Sequence, residues 1–278
     1  MKQDMGEEKR KIDAAFLLIL PAVALGVLGM AMGDVSASLW GQQAVAWAVF
    51  ALLAKPLRRI AGRIPAAVWS VLLLVPLAAA LWGQEVGGAR RWVNLIVFYV
   101  HTAGLVLPAL LVVLCRVKYP WPAMMAAAAM LSIQPDLMQM TAFCAAVFPV
   151  LWEKREKRAW MLGSMIVLSL LLVCCIRTPV SIEPVLYCEG ILAMLGQTSR
   201  LLQAAGVTAL AVIPLCWAYG FYRWRKVQML SLAVYYAAAM LFALSGEYPV
   251  PFMGFGLSPV AGYGLAYACG AAQKQAAD

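Results

Sequence analysis

A chain of 278 residues that is 64% hydrophobic and only 13% charged lies far from soluble domains, which are about 45–50% apolar and about 25% charged. Its mean hydropathy of +0.82 and its unbroken apolar stretches, such as residues 14–32 and 161–176, exclude a water-soluble globule. They also exclude a membrane β-barrel, whose strands alternate apolar and polar positions, whereas continuous apolar segments satisfy their backbone in lipid as helices.

In chain order the apolar runs fall at residues 14–33, 37–54, 65–82, 93–115, 120–134, 136–152, 159–176, 198–221, 228–245 and 258–272. A helix needs about 20 such residues to cross a bilayer, and the fifth and tenth runs are short. The pattern predicts an all-α polytopic membrane bundle of eight to ten transmembrane helices, one integral membrane domain over residues 1–278. The first run is too long for a cleaved signal peptide and reads as the first span behind a cytoplasmic tail at residues 1–13.

Basic residues cluster between runs, at residues 2–11, 55–63, 116–118, 154–158 and 223–226 and at Lys274, and these places hold 18 of the 22. With ten spans, all of them fall on the side of the N-terminus, so the positive-inside rule places both termini in the cytoplasm. The formal charge of +9 is then matched by anionic lipid headgroups, and no nucleic-acid partner is expected. Residues 177–197 break the pattern with Pro179, Glu183, Pro184 and Glu189. They read as a short outer loop running into a re-entrant helix, which is tolerated at membrane depth only against protein or a water-filled cavity.

Three outer stretches concentrate polar groups. Residues 83–92, GQEVGGARRW, place Arg90 and Arg91 beside Trp92 at a span entrance. Guanidinium forks suit phosphate oxygens, while the alternative is an interfacial anchor of arginine snorkelling beside tryptophan. Residues 132–136, SIQPD, put Gln134 and Asp136 at a proline break. An ionisable residue there is either functional or a cap for the next helix. Residues 246–264, GEYPVPFMGFGLSPVAGYG, are too apolar for a solvated loop and point to an inserted turn carrying Ser258.

His101, the single histidine, lies inside the fourth run, where a hydrogen-bonded packing role outweighs proton relay. Glu189, on an apolar stretch, needs a partner, for which Arg200 is the candidate. The seven cysteines form no CxxC pair and, except Cys188, lie within apolar runs, where a thiol behaves as a small hydrophobe. No metal site is expected.

Taken in order, these stretches resemble the SEDS (shape, elongation, division and sporulation) family, the RodA/FtsW/SpoVE group. Gly83 and residues 88–92 are similar to its G-x-x-x-N-G-A-R-R-W, with Gly87 in place of Asn. Residues 133–137, IQPDL, are similar to Q-P-D-x-G, with Met138 in place of Gly. Residues 248–258, YPVPFMGFGLS, are similar to P-x-P-F-x-S-Y-G-G-S, with Gly254, Phe255 and Leu257 in place of Ser, Tyr and Gly. Gln42 and Gln43 resemble the family's R-Q at the start of the second span.

The resemblance implies a multi-pass protein of the bacterial inner membrane that polymerises lipid II, an undecaprenyl-pyrophosphate-linked sugar, alongside a single-span transpeptidase. A carboxylate after the seventh span would deprotonate the acceptor hydroxyl, and arginines would hold the pyrophosphate. Glu183 is the nearest carboxylate and Asp136 the second candidate for catalysis. Arg90, Arg91, Trp92, Gln134, Glu189 and Ser258 are the candidates for substrate binding. No cofactor is implied, and a divalent cation is left open.

The chain also departs from the family. His101, Thr102, Ala103 and Gly104 stand where it has Q-P-S-E, and the loop after the seventh run is reduced to residues 177–184 without D-F-x-F. This favours a catalytically inactive protein that binds lipid-linked sugar or a division partner. A small transporter or flippase and a plain scaffold are the alternatives from other classes.

Overall fold

The computed structural model describes residues 17–85, 88–95, 99–154, 157–177 and 184–271; the expected cytoplasmic tail lies outside them. All ten apolar runs carry a helix: α1 Leu20–Met32, α2 Ala37–Arg63, α3 Ala66–Ala80, α4 Thr102–Leu114, α5 Trp121–Ile133, α6 Leu137–Lys154, α7 Lys157–Arg177, α9 Arg200–Trp224, α10 Val227–Ala243 and α11 Leu257–Ala271. An eight-residue helix, α8 Ile191–Thr198, precedes α9. The architecture is a polytopic membrane helix bundle. Two helices, α2 and α9, are each long and apolar enough to cross a membrane by length and composition alone, and shorter apolar helices pack with them.

Three boundaries differ from the sequence reading. Residues 93–95 and 99–101 do not begin the fourth span. Trp92–Asn94 (β1) and Tyr99–His101 (β2) pair as an antiparallel hairpin, with Trp92 opposite His101, and the helix starts only at Thr102. Aromatic and β-branched residues suit a pleated, half-buried ribbon, and an apolar run alone does not distinguish that from helix. The second difference is that α2 continues to Arg63, so its basic cluster is helical rather than a loop. Finally, α8 is joined to α9 at Ser199, which is extended and accepts a bond from the Leu201 amide, a side-chain N-cap.

Apolar all round, α4 lies at the centre, against α11, α3, α10 and α6, and every residue but Leu105 is buried. Pro108 has no amide to offer the carbonyl of Gly104, and Gly262 of α11 packs against that carbonyl. A Cβ on Gly262 would stand 2.2 Å from it. By contrast α9 turns Leu201, Leu215, Tyr219 and Tyr222 outward, as a helix facing lipid does. Exposed Trp82 and Tyr99 lie at one end of the bundle, with Tyr119, Trp121, Trp152 and Tyr222 at the other, the positions of interfacial aromatic belts.

Candidate functional site

The three polar stretches meet at one end of the bundle. The proline break after α5 stops the helix and leaves the carbonyls of Gln134 and Pro135 free for outside donors. Arg91, from the segment leading into β1, donates Nε to the Gln134 carbonyl at 3.4 Å and Nη2 to the Pro135 carbonyl. Gln134 donates Nε2 to the carbonyl of Leu77 on α3 at 2.6 Å. Its Oε1 is fully buried and has no partner among the described residues.

Asp136 is the N-cap of α6. Its Oδ1 accepts from the amide of Gln139 at 3.2 Å, and its Oδ2 lies 2.8 Å from Nε2 of His101. Nδ1 of His101 accepts from the amide of Gly104 at 3.3 Å, so that nitrogen carries no hydrogen and Nε2 is the donor to the carboxylate. His101 thus caps α4 while Asp136 caps α6, and their side chains join the two caps. The backbone amide of His101 donates to Oγ of Ser258 at 2.8 Å, which brings in the first turn of α11. Burial raises the cost of the Asp136 charge, but the Arg91 guanidinium and the His101 bond outweigh it and hold the carboxyl below its ordinary value.

The third stretch is fixed from two sides. Gln43 of α2, fully buried, donates Nε2 to the carbonyls of Phe252 (2.7 Å) and Gly254 (3.1 Å), and its Oε1 accepts from the amide of Gly256 at 3.1 Å. These bonds hold Phe252 at φ +66°, a left-handed conformation that a bulky residue adopts only under constraint. From the other side the carbonyl of Cys188 accepts from Val250, and the amide of Phe255 donates to Tyr187. A Cβ on Gly254 would lie 2.2 Å from the Cys188 carbonyl, so the two turns touch through backbone.

The structure therefore brings Arg91, Gln134, Asp136 and Ser258 into one network and sets the other candidates apart. Arg90 points outward. Its Nε lies 3.4 Å from Glu85, both side chains being about half exposed, and its Nη1 donates to the carbonyl of Leu81 at the end of α3. Trp92 is half-buried with its ring 5.8 Å from that of His101. Glu189 accepts from the amide of Val185 in its own turn at 2.8 Å, while Arg200 bonds Gln203 instead. Glu183 lies outside the described residues.

Two hub residues were not read as site residues. In the sequence Gln43 stands only as part of the opening of the second run, and its one local signal is a glutamine on an apolar helix. The sequence places His101 inside the apolar run 93–115, which hides the helix start at Thr102 that makes it a cap. Among the described residues no group of three or more His, Cys, Asp or Glu could hold a metal ion.

No family model matches the sequence, nor does any curated protein. Solved structures do. A point mutant of the rod-shape-determining protein RodA of Thermus thermophilus superimposes with a TM-score of 0.65 at 20% identity, over 92% of this chain and 95% of that one. The unmutated RodA of the same organism gives 0.55 at 20% identity over the same shares. A chain of a peptidoglycan synthase complex, described as coordinating polymerization and crosslinking, gives 0.61 at 18% identity over 94% and 98%. The chain is thus a membrane helix bundle of a recognised architecture. That architecture is the RodA fold, the one implied by the SEDS resemblance.

Proposed function

We propose that the chain is a divergent SEDS-type protein of the bacterial inner membrane, acting in cell-wall growth, division or sporulation and taking lipid II at its outer end. The observation that carries this reading is the meeting of three stretches, far apart in sequence and each carrying the resemblance, in one buried network on a RodA fold. Orientation follows from charge. The end opposite the network holds Arg116, Lys118, Lys154, Arg223, Arg225 and Lys226, so it faces the cytoplasm and the network faces outward.

In this reading the residues divide the work. Arg91, Gln134, Asp136 and Ser258 are positioning residues that hold the hairpin, the α5–α6 break and the start of α11 in register. Arg90, half exposed at the rim, has fork donors for the pyrophosphate, with Trp92 and Glu189 flanking the approach. In glycosyl transfer a carboxylate takes the proton of the acceptor hydroxyl, whose oxygen bonds the anomeric carbon as the bond to pyrophosphate breaks. Glu183 is the assigned base. The peptidoglycan synthase complex among the similar structures supports a single-span transpeptidase as partner.

A second reading, a silent relative that binds the lipid-linked sugar without turning it over, is favoured by one observation. Both oxygens of Asp136 are engaged, and the carboxylate is only 2% exposed. The experiment is lipid II polymerisation by the purified full chain in vesicles, with lipid II binding measured in parallel. Polymer formed by the wild type and reduced about 10²–10⁴-fold in Glu183→Ala supports the transferase. Binding without polymer supports the silent relative. Activity untouched by Glu183→Ala removes the base assignment, and neither binding nor polymer rejects both readings.

A further inference from the structure

We propose that the basic end of α2 binds an anionic phospholipid of the adjoining leaflet through Lys55, Arg59 and Arg63. The proposal does not rest on the lipid II reading, and no sugar lipid enters its test.

The length of α2 sets the depth of these cations. Residues 37–54 carry no charged side chain and as a helix measure about 27 Å, close to the hydrocarbon thickness of about 30 Å. The helix nevertheless runs on to Arg63, about 13 Å further, so residues 55–63 fall in the headgroup layer and just beyond it. Lys55, Arg59 and Arg63 recur at i, i+4 and i+8 and form one stripe, about 6 Å of rise apart. Lysine and arginine stems extend along a helix to keep their charge at the interface, so the three cations reach a common phosphate level.

All three are exposed, and none forms a hydrogen bond or ion pair among the described residues. Arg58, half-buried and already engaged, is not part of the stripe. Nor do the neighbouring helices bring counter-ions. No Asp or Glu lies between Asp34 and Glu85, and α1 and α11, which pack on α2, contain none. Residues 1–13, ahead of α1, hold four acidic and four basic side chains, which sum to zero.

Beside the cations the helix presents apolar surface. Leu53, Pro56 and Ile60, at i, i+3 and i+7, are all exposed, and Leu52, three positions before Lys55, is 79% exposed. Ala54 and Ala61 turn the opposite face into the bundle, where both are buried. The outward face of this segment is thus split lengthwise into a basic and an apolar stripe. An anionic phospholipid matches both, because its phosphate oxygens accept from ammonium and guanidinium groups while its acyl chains lie along Leu52 and Leu53. Phosphatidylcholine offers the chains without net charge, and a nucleic acid offers phosphates without chains.

The competing account is diffuse attraction, in which every cation at this end counts alike and no place is preferred. The full chain in a neutral detergent is titrated with cardiolipin, phosphatidylglycerol or phosphatidylcholine, bound lipid is counted by native mass spectrometry, and thermal unfolding is followed in parallel. A cation near an anionic lipid surface is worth about fivefold in affinity. Wild type should therefore bind the two anionic lipids about tenfold or more tighter than phosphatidylcholine, and Lys55→Gln/Arg59→Gln/Arg63→Gln should lose that preference. Lys118→Gln/Arg223→Gln/Arg225→Gln, which removes the same charge from other exposed sites at the same end, should keep it within about twofold. Arg59→Gln alone, with an expected loss of about fivefold, decides if the α2 triple variant fails to fold. Equal losses in the two triple variants assign the effect to diffuse charge and overturn the proposal, as does an α2 variant that binds like the wild type. Wild type without preference for anionic lipid also overturns it and leaves the stripe to an acidic protein segment.

Discussion

The two ends of the bundle solve the same problem, unpaired backbone groups where helices start and stop, in different ways. At the end that carries the basic clusters cations reach helix C-termini: Lys154 donates to the carbonyl of Cys115 after α4, and Arg116 to that of Cys269 in α11. Both donors are only part-buried, so water can replace them. At the other end side chains, Gln43 fully buried and Arg91 and His101 part-buried, meet segments far away in sequence. Gln43 bonds residues 252–256, His101 bonds Asp136 and Ser258, and Arg91 bonds the α5–α6 break. Water could replace a single bond there but not the links between segments distant in sequence. The end with the network is therefore where substitutions should act on the fold as a whole, and the basic end is where they should act locally.

The largest test of that contrast is Asp136→Ala. It removes the cap of α6 and the acceptor of the His101 bond, together a loss of about 2–5 kcal/mol, read as a fall in the thermal unfolding temperature in detergent. Asp136→Asn, which keeps a capping side chain, should lose less. The carboxyl is held below its ordinary value in the folded state. Its contribution is therefore present above the unfolded pKa of about 3.9 and is lost as pH falls through the lower folded value. Unfolding followed from pH 7 to pH 3 should show a steeper acid fall in the wild type than in Asp136→Asn; parallel curves would break the assignment.

Next in size, Gln43→Leu should cost about 2–3 kcal/mol by leaving the Phe252 and Gly254 carbonyls and the Gly256 amide without partners. Gly262→Ala should follow at about 1–3 kcal/mol, since its Cβ would press on the Gly104 carbonyl and the α4–α11 crossing must open. Lys154→Gln at the opposite end, which loses a cation from a helix C-terminus, should cost about 0.3–1 kcal/mol. Equal losses for Gln43→Leu and Lys154→Gln would erase the difference between the two ends.

The helices were legible in the sequence because a span announces itself locally, through a run of apolar residues bounded by charge, proline or glycine. That sufficed for ten helices and for the side of the bundle on which the GARRW, QPD and PVPF stretches lie. It failed at residues 92–101, where an apolar run fits hairpin and helix equally, and at α2, where basic residues continue a helix beyond the hydrocarbon. The site was legible in its parts but not in its wiring. Arg90 and Arg91 read alike as neighbours, yet only Arg91 has free carbonyls to reach, and those belong to residues 43 and 44 positions further on. Gln43 and His101 acquire their roles from partners 209 and 157 positions away, which no local pattern carries.

The adjacent arginines give the smallest expected change in stability and the sharpest division between fold and function. Arg90 and Glu85 are both about half exposed, and pairs of that kind contribute about 0.2–1 kcal/mol, so Arg90→Ala should leave unfolding nearly unchanged. If the rim arginine meets the pyrophosphate, the same substitution should weaken lipid II binding, and Arg90→Lys should recover only part of it because an ammonium keeps the charge without the fork. Arg91→Ala should show the opposite pattern, with unfolding shifted strongly and binding lost only as the fold is lost. Binding unchanged in Arg90→Ala, in protein that unfolds like the wild type, would move the pyrophosphate contact away from residues 83–92. The outer network would then be the architecture beneath a site built elsewhere.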